Sequence, residues 1–103
     1  MTPLNLQKTA AGLPEAWRSR VLGRVGTADV KVLRMDGAPV EVETHENDEA
    51  LIVVEGHLTL ELAGGIRSMS TGDLCVVPAG TPHAVLPGST GTLLIVEVDP
   101  ATD

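Results

Sequence analysis

Val40-Glu41-Val42-Glu43-Thr44-His45-Glu46-Asn47-Asp48-Glu49-Ala50-Leu51-Ile52-Val53-Val54-Glu55-Gly56 is the stretch whose reading decides the fold. From Val40 to His45 apolar and polar residues alternate with the period of a β-strand, which sets Glu41, Glu43 and His45 on one face and Val40, Val42 and Thr44 on the other. Alone, this strand reads as a solvated acidic face over a valine-lined core. The neighbouring residues change that reading. After a short loop, Glu49 opens a run, Ala50 to Val54, so apolar that it is expected to be buried on both faces. A carboxylate at the head of such a strand costs free energy unless it is paired or coordinated.

Outward from this stretch the pattern is strand, turn, strand. Val21 to Val25 and Asp29 to Met35 precede it, the second ending at the turn pair Asp36-Gly37. Glu55-Gly56 reads as a hairpin corner before His57 to Leu62. Gly64-Gly65 returns the chain through Ile66 to Met69, and Thr71-Gly72-Asp73 turns it into Leu74 to Val77. Pro78-Ala79-Gly80-Thr81-Pro82 is a rigid bend that delivers His83 to Leu86, and Pro87-Gly88-Ser89 leads into Thr92 to Val98. Many short strands separated by evenly spaced Gly and Pro turns predict an all-β sandwich or barrel. Residues 1–20 read as an N-terminal packing segment, with one helical turn expected over Pro14 to Arg18 and Trp17 as a packing anchor. Residues 21–103 form the single barrel domain.

Composition bounds the function. The chain has 103 residues, one domain's length. Its hydrophobic content is 43% with aromatics at 1%, so aliphatic side chains must build the core. Seven basic residues stand against fourteen acidic ones, a net charge of −7, which argues against nucleic acid and against anionic membranes as partners. The single cysteine, Cys75, excludes an intramolecular disulfide. With no signal-peptide pattern and no apolar run long enough to span a bilayer, a soluble, cytoplasmic protein is expected.

The bend at 78–82 places His83 among apolar neighbours, where each ring nitrogen needs a partner. Glu43, His45, Glu49 and His83 together make two imidazoles and two carboxylates on rigid strands, a set that binds a divalent cation. The alternative is a metal-free pocket in which Glu43 or Glu49 hydrogen-bonds to His45 or His83.

These residues carry a resemblance. Gly37, Glu43-Thr44-His45, then Glu49 and Gly56 resemble the first cupin motif in spacing, and Gly72, Pro78-Ala79-Gly80 and His83 resemble the second. The resemblance covers most of residues 25–98. The whole chain is similar to small single-domain cupins of the conserved-barrel, mannose-6-phosphate isomerase-like type, which share the leader pattern of Leu13-Pro14-Glu15-Ala16-Trp17. It implies a cupin β-barrel, the jelly roll or double-stranded β-helix. It also implies a metal held by His45, Glu49 and His83, with Glu43 standing where the family has its first histidine. Pro87 replaces the asparagine that usually ends the second motif. A carboxylate in place of an imidazole makes the site harder and more negative, which suits Mn, Fe or Zn and still admits Ni.

Two functions fit this pattern. One is an enzyme performing isomerisation, lyase or oxygenase chemistry on a small polar molecule, with Glu43 as a ligand or as the catalytic base. The other is a non-catalytic small-ligand-binding module, with or without metal. Small cupins commonly pair through sheet edges and the N-terminal segment, so a homodimer is expected. Arg24, Arg34 and Arg67 are the candidates for holding an anionic substrate. His57 is expected to be exposed, Cys75 to act as a small hydrophobe, and Met35 and Met69 to fill core or pocket wall.

Overall fold

The structure is a computed structural model that describes residues 2–98; Met1 and residues 99–103, the expected end of the barrel domain, lie outside it. One short helix, α1 (Leu6–Ala11), precedes eight strands: β1 (Arg20–Val25), β2 (Ala28–Asp36), β3 (Val40–Glu43), β4 (Glu49–Leu62), β5 (Gly65–Ser70), β6 (Leu74–Val77), β7 (His83–Val85) and β8 (Thr90–Val98). All strand pairs are antiparallel. The hydrogen-bonded order β1-β2-β8-β4-β7-β3, with β5 and β6 also on β4, is an all-β jelly roll.

The long strand β4 belongs to both layers. Its first half lies between β8 and β6, and its second half between β7 and β5. The expected hairpin at Glu55-Gly56 is therefore a bend inside one 14-residue strand. Gly56 (φ +96°) and Gly91 (φ +114°) meet there. A Cβ on Gly56 would lie 2.0 Å from the Thr90 carbonyl oxygen, and one on Gly91 2.0 Å from that of Glu55. The register with β8 slips between Val53 and Glu55, so the inward parity changes. Glu49, Leu51 and Val53 are buried before the bend, Leu58 and Leu60 after it. The Ala50–Val54 run is not buried on both faces, because Ala50, Ile52 and Val54 are half-exposed on the outside.

The core between the layers is aliphatic, with Leu33, Met35, Leu51, Val53, Leu58, Leu60, Met69, Val77, Leu93 and Ile95 in one cluster. Each large aliphatic side chain buried there contributes about 1.5–3 kcal/mol, which is how the fold forms with almost no aromatics. Cys75 packs against this cluster, and His57 is exposed, as expected.

The helix sits earlier than expected. Asn5 caps it by accepting from the Lys8 N–H at 2.9 Å. Ala10 is buried, and the helix packs over β2, β8 and β4. Where a helical turn was expected at Pro14 to Arg18, the chain is instead stitched to β2. The Trp17 N–H donates to the Arg34 carbonyl at 2.9 Å, and the Arg34 guanidinium donates to the Leu13 carbonyl at 3.2 Å. These long-range bonds replace the local i→i−4 bonds a helix needs. Trp17 consequently adopts φ +66°, rare for a bulky residue.

Candidate metal centre

Glu43 ends β3, His45 lies in the loop after it, Glu49 opens β4 and His83 opens β7. Glu43 and His83 are cross-strand partners. Two further bonds draw the distant segments together. Asp48 accepts from the Ala79 N–H at 2.8 Å, and the Gly80 N–H donates to the His45 carbonyl at 2.9 Å. The loop carrying His45 and the Pro78–Pro82 bend carrying His83 are thus fastened to each other, and the four side chains expected from the sequence do converge.

The strand alternation expected from Val40 to His45 breaks locally. The pairing of β3 with β7 is irregular between Val40 and Glu43, so both residues line the central cavity while Val42 is 64% exposed. Glu41 faces solvent.

His45 Nε2 lies 3.5 Å from Glu43 Oε2 and 3.8 Å from Glu49 Oε2, and His83 Nε2 lies 3.6 Å from Glu49 Oε1. The two rings stand 5.1 Å apart, centre to centre. Ligand atoms bound at about 2.1 Å to one ion lie roughly 3–3.5 Å from each other. The donor atoms of Glu43, His45 and His83 all fall within 4.8 Å of one another, so small side-chain adjustments suffice to enclose an ion. Burial is graded: the side chains of Glu49 and His83 are each 8% exposed, His45 is 34% and Glu43 54% exposed. The group opens to solvent on the Glu43 side.

The His83 ring has a fixed orientation. Its Nδ1 lies 3.0 Å from the Thr81 carbonyl, which only accepts, so Nδ1 carries the proton. In the neutral ring Nε2 then presents a lone pair to Glu49. Two acceptors facing each other in a buried site need a cation or a proton between them. This is the donor set that suits a divalent ion, with the second ring nitrogen held by a backbone carbonyl as metal-binding histidines require.

Glu97 was not among the residues expected from the sequence. It lies opposite Glu49 on β8, and its side chain, His45 and Glu49 form a second group able to hold an ion. Lys31 of β2 pairs with Glu97. Burial pushes the Glu49 carboxyl up to about 8, and the hydrogen bond and charge of Glu97 add to the rise. Burial also opposes the charge on Glu97, but the bond and charge of Lys31, together with the hydrogen bond to Glu49, outweigh it and hold Glu97 below the usual carboxylate value. A proton therefore rests on Glu49 and the charge on Glu97.

The remaining candidates lie elsewhere. Arg24 pairs with Asp29 at 3.1 Å, Arg34 serves the Leu13 carbonyl, and Arg67 its neighbour's carbonyl, that of Ile66. None of the three arginines lines the cavity. Trp17 does, although the sequence suggested only a packing role.

A jelly roll with imidazoles and carboxylates gathered at one end of its interior defines the architecture of a cupin. The sequence matches the cupin domain model over residues 32–99, and the chain belongs to that family. A cupin-2 domain containing protein from Shewanella frigidimarina superposes with a TM-score of 0.84 at 22% identity, covering 93% of this chain and 94% of that one. A Ralstonia eutropha protein with the provisional name mannose-6-phosphate isomerase gives a TM-score of 0.72 at 25% identity, covering 85% of this chain and 88% of that one. A hydroquinone 1,2-dioxygenase, solved with Cd2+ and 4-hydroxybenzonitrile, gives 0.80 at 20% identity over 92% of this chain and 71% of that one. No curated protein matches the sequence. Among the described residues no helix is long and apolar enough to cross a membrane.

Proposed function

We propose that this cupin holds a divalent transition metal, Mn, Fe, Zn or Ni, through Glu43, His45, Glu49 and His83, and performs isomerisation, lyase or oxygenase chemistry on a small molecule. The observation that carries the reading is the face-to-face approach of His83 Nε2 and Glu49 Oε1 at 3.6 Å, with the opposite ring nitrogen already committed to Thr81. A bound ion supplies Lewis-acid polarisation of a substrate oxygen. The chain's residues do the rest. Glu43 is the most exposed of the four, stands at the cavity wall and can take a proton from a bound molecule. Glu49 and His83 fix the polar end of the cavity, and its other walls are mostly aliphatic.

One observation favours a second reading, a metal-free ligand-binding module. Protonated Glu49 hydrogen-bonds to Glu97, whose charge Lys31 balances, so the acid pair is satisfied without an ion. Elemental analysis of untagged protein, followed by titration of the stripped protein with Mn2+, Fe2+, Zn2+ and Ni2+, separates the two. The metal reading expects close to one equivalent and loss of tight uptake in His83→Asn, by about a hundredfold. Less than about a tenth of an equivalent and no uptake on titration leaves the module.

The same proposal takes residues 1–20 as the packing segment and the remainder as the barrel. It places the protein in the cytoplasm on its lone cysteine and acidic composition, and pairs it as a homodimer. The exposed Leu74 and Val76 on β6 support the pairing.

A further inference from the structure

The cavity beside the four side chains has a volume of about 130 Å3. Glu43, Glu49 and His83 stand in its lining, and aliphatic side chains such as Leu51, Leu58, Leu60 and Ile95 make most of its wall. Among the described residues no lysine or arginine lines it, and no hydroxyl or amide side chain does. The one further polar group is the Trp17 indole, and its Nε1–H is already given to Asp36 Oδ1 at 2.7 Å.

This lining discriminates by chemistry. A sugar placed inside would exchange water for aliphatic wall at most of its hydroxyls, at a cost of roughly 1–3 kcal/mol for each group left unpaired. A phosphate would meet the Glu43 carboxylate and, among the described residues, no lysine or arginine, inside a chain of net charge −7, with a bound ion as its one possible counter-charge. An apolar ring meets no such penalty. An apolar cavity of roughly 150 Å3 admits benzene, so this one is the size of a single ring.

Trp17 is the largest side chain in that lining. Its backbone is held at φ +66° by the bond to Arg34, and its indole is anchored by Asp36, which also accepts from the Ala38 N–H at 3.0 Å. The Ala38 bond first, and then the Trp17 bond, hold the Asp36 carboxyl below its ordinary value. Strained backbone that persists because its surroundings over-determine it marks a place where a side chain must stand in one position.

We propose that the site takes an uncharged molecule of one apolar ring, or an equally compact branched skeleton, with its oxygen directed at Glu43, Glu49 and His83, and that Trp17 is the specificity-determining wall excluding two-ring molecules, sugars and sugar phosphates. This deepens the proposed function and rests on its placement of the site, but the class of ligand is set by the wall and not by the ion.

Calorimetric titrations of the full chain, metal-loaded and metal-stripped in parallel, test it with phenol, 2-naphthol, mannose and mannose 6-phosphate. Trp17 is the only tryptophan, so its indole gives a single N–H resonance that reports the cavity. Phenol is expected to bind in the millimolar range or tighter and to shift that resonance. Trp17→Ala is expected to bind 2-naphthol at least about tenfold tighter than the wild type does, while Trp17→Phe keeps the exclusion. Should Trp17→Ala fail to fold, the resonance shift in the wild type decides the matter. Mannose or its phosphate binding more tightly than phenol overturns the proposal, and so does phenol binding that leaves the indole resonance unmoved. If phenol binds the stripped protein while no ion is taken up, the ligand class stands and the metal reading falls. If the ion binds and phenol does not, the reverse holds.

Discussion

Glu49 and Glu97 face each other across β4 and β8 as an acid pair that shares its burden unequally, because Lys31 pairs directly with Glu97 and acts on Glu49 only through its charge. The metal-free protein should carry the signature of that asymmetry. Glu49 keeps its proton in the folded state up to about pH 8, from an ordinary value of 4.5. Across that window the unfolded chain has released the proton and the folded chain has not, so stability falls as pH rises, at most by about 1.4 kcal/mol per pH unit for one group. Glu97, held low, contributes in the opposite sense and loses its contribution as pH falls through its own folded value, below the window. Urea unfolding of stripped protein from pH 5 to 8 should show a falling midpoint; a level or climbing midpoint contradicts the buried proton. The four motif residues were legible in the sequence because their types and spacing are local facts. Glu97 was not. It reads as one more acid near the end of an apolar strand, and only the register of β8 on β4 turns it inward. Trp17 was missed for a similar reason, since its partners Arg34 and Asp36 lie on another element.

At the scale of elements, nine strand segments were legible from alternation and turn residues, two of which are one strand, β4, in the structure, while two backbone irregularities were not. A glycine after a strand reads as a turn, and Gly56 is a turn residue by every local criterion. Its true reason is Gly91, far along the chain, against which β4 bends. Both irregularities serve the site. The bend in β4 lets one strand carry Glu49 in one layer and Leu58 and Leu60 in the other, and the irregular pairing of β3 turns Glu43 toward the cavity beside Val40. Close approach, and not backbone conformation alone, should therefore govern substitution at Gly56. Gly56→Ala drives a methyl group into the Thr90 carbonyl and is expected to cost about 3 kcal/mol or more. Gly64→Ala is the control: φ is +84°, yet nothing lies within 4 Å of the added carbon, and a cost of about 1 kcal/mol is expected. Chemical denaturation of the two variants checks the contrast, and equal losses would remove the close-packing account of the bend.

Across the whole molecule, the two layers differ in what they show to solvent. The second half of β4 and its partner β5 place Thr59, Glu61, Ser68 and His57 on the outer face, a polar surface with one exposed apolar residue, Ile66, beside Glu61. The first half of β4 and β6 place Ala50, Ile52, Leu74 and Val76 there, with Leu74 and Val76 more than half exposed and no charged side chain among them. For a chain of net charge −7, an uncharged face is where a second copy can approach without setting carboxylate against carboxylate. β6 also pairs with β4 alone, and edge strands of this kind need covering. A two-fold arrangement uses the same patch on both copies, so one substitution acts twice. Light scattering at micromolar concentration is expected to give twice the chain mass for the wild type and the single-chain mass for Leu74→Glu combined with Val76→Lys. Both residues point away from the core and the metal site, so the variant should keep its cavity and its metal affinity. A wild type that scatters as a single chain refutes the pairing, and a variant that stays dimeric moves the interface off this face.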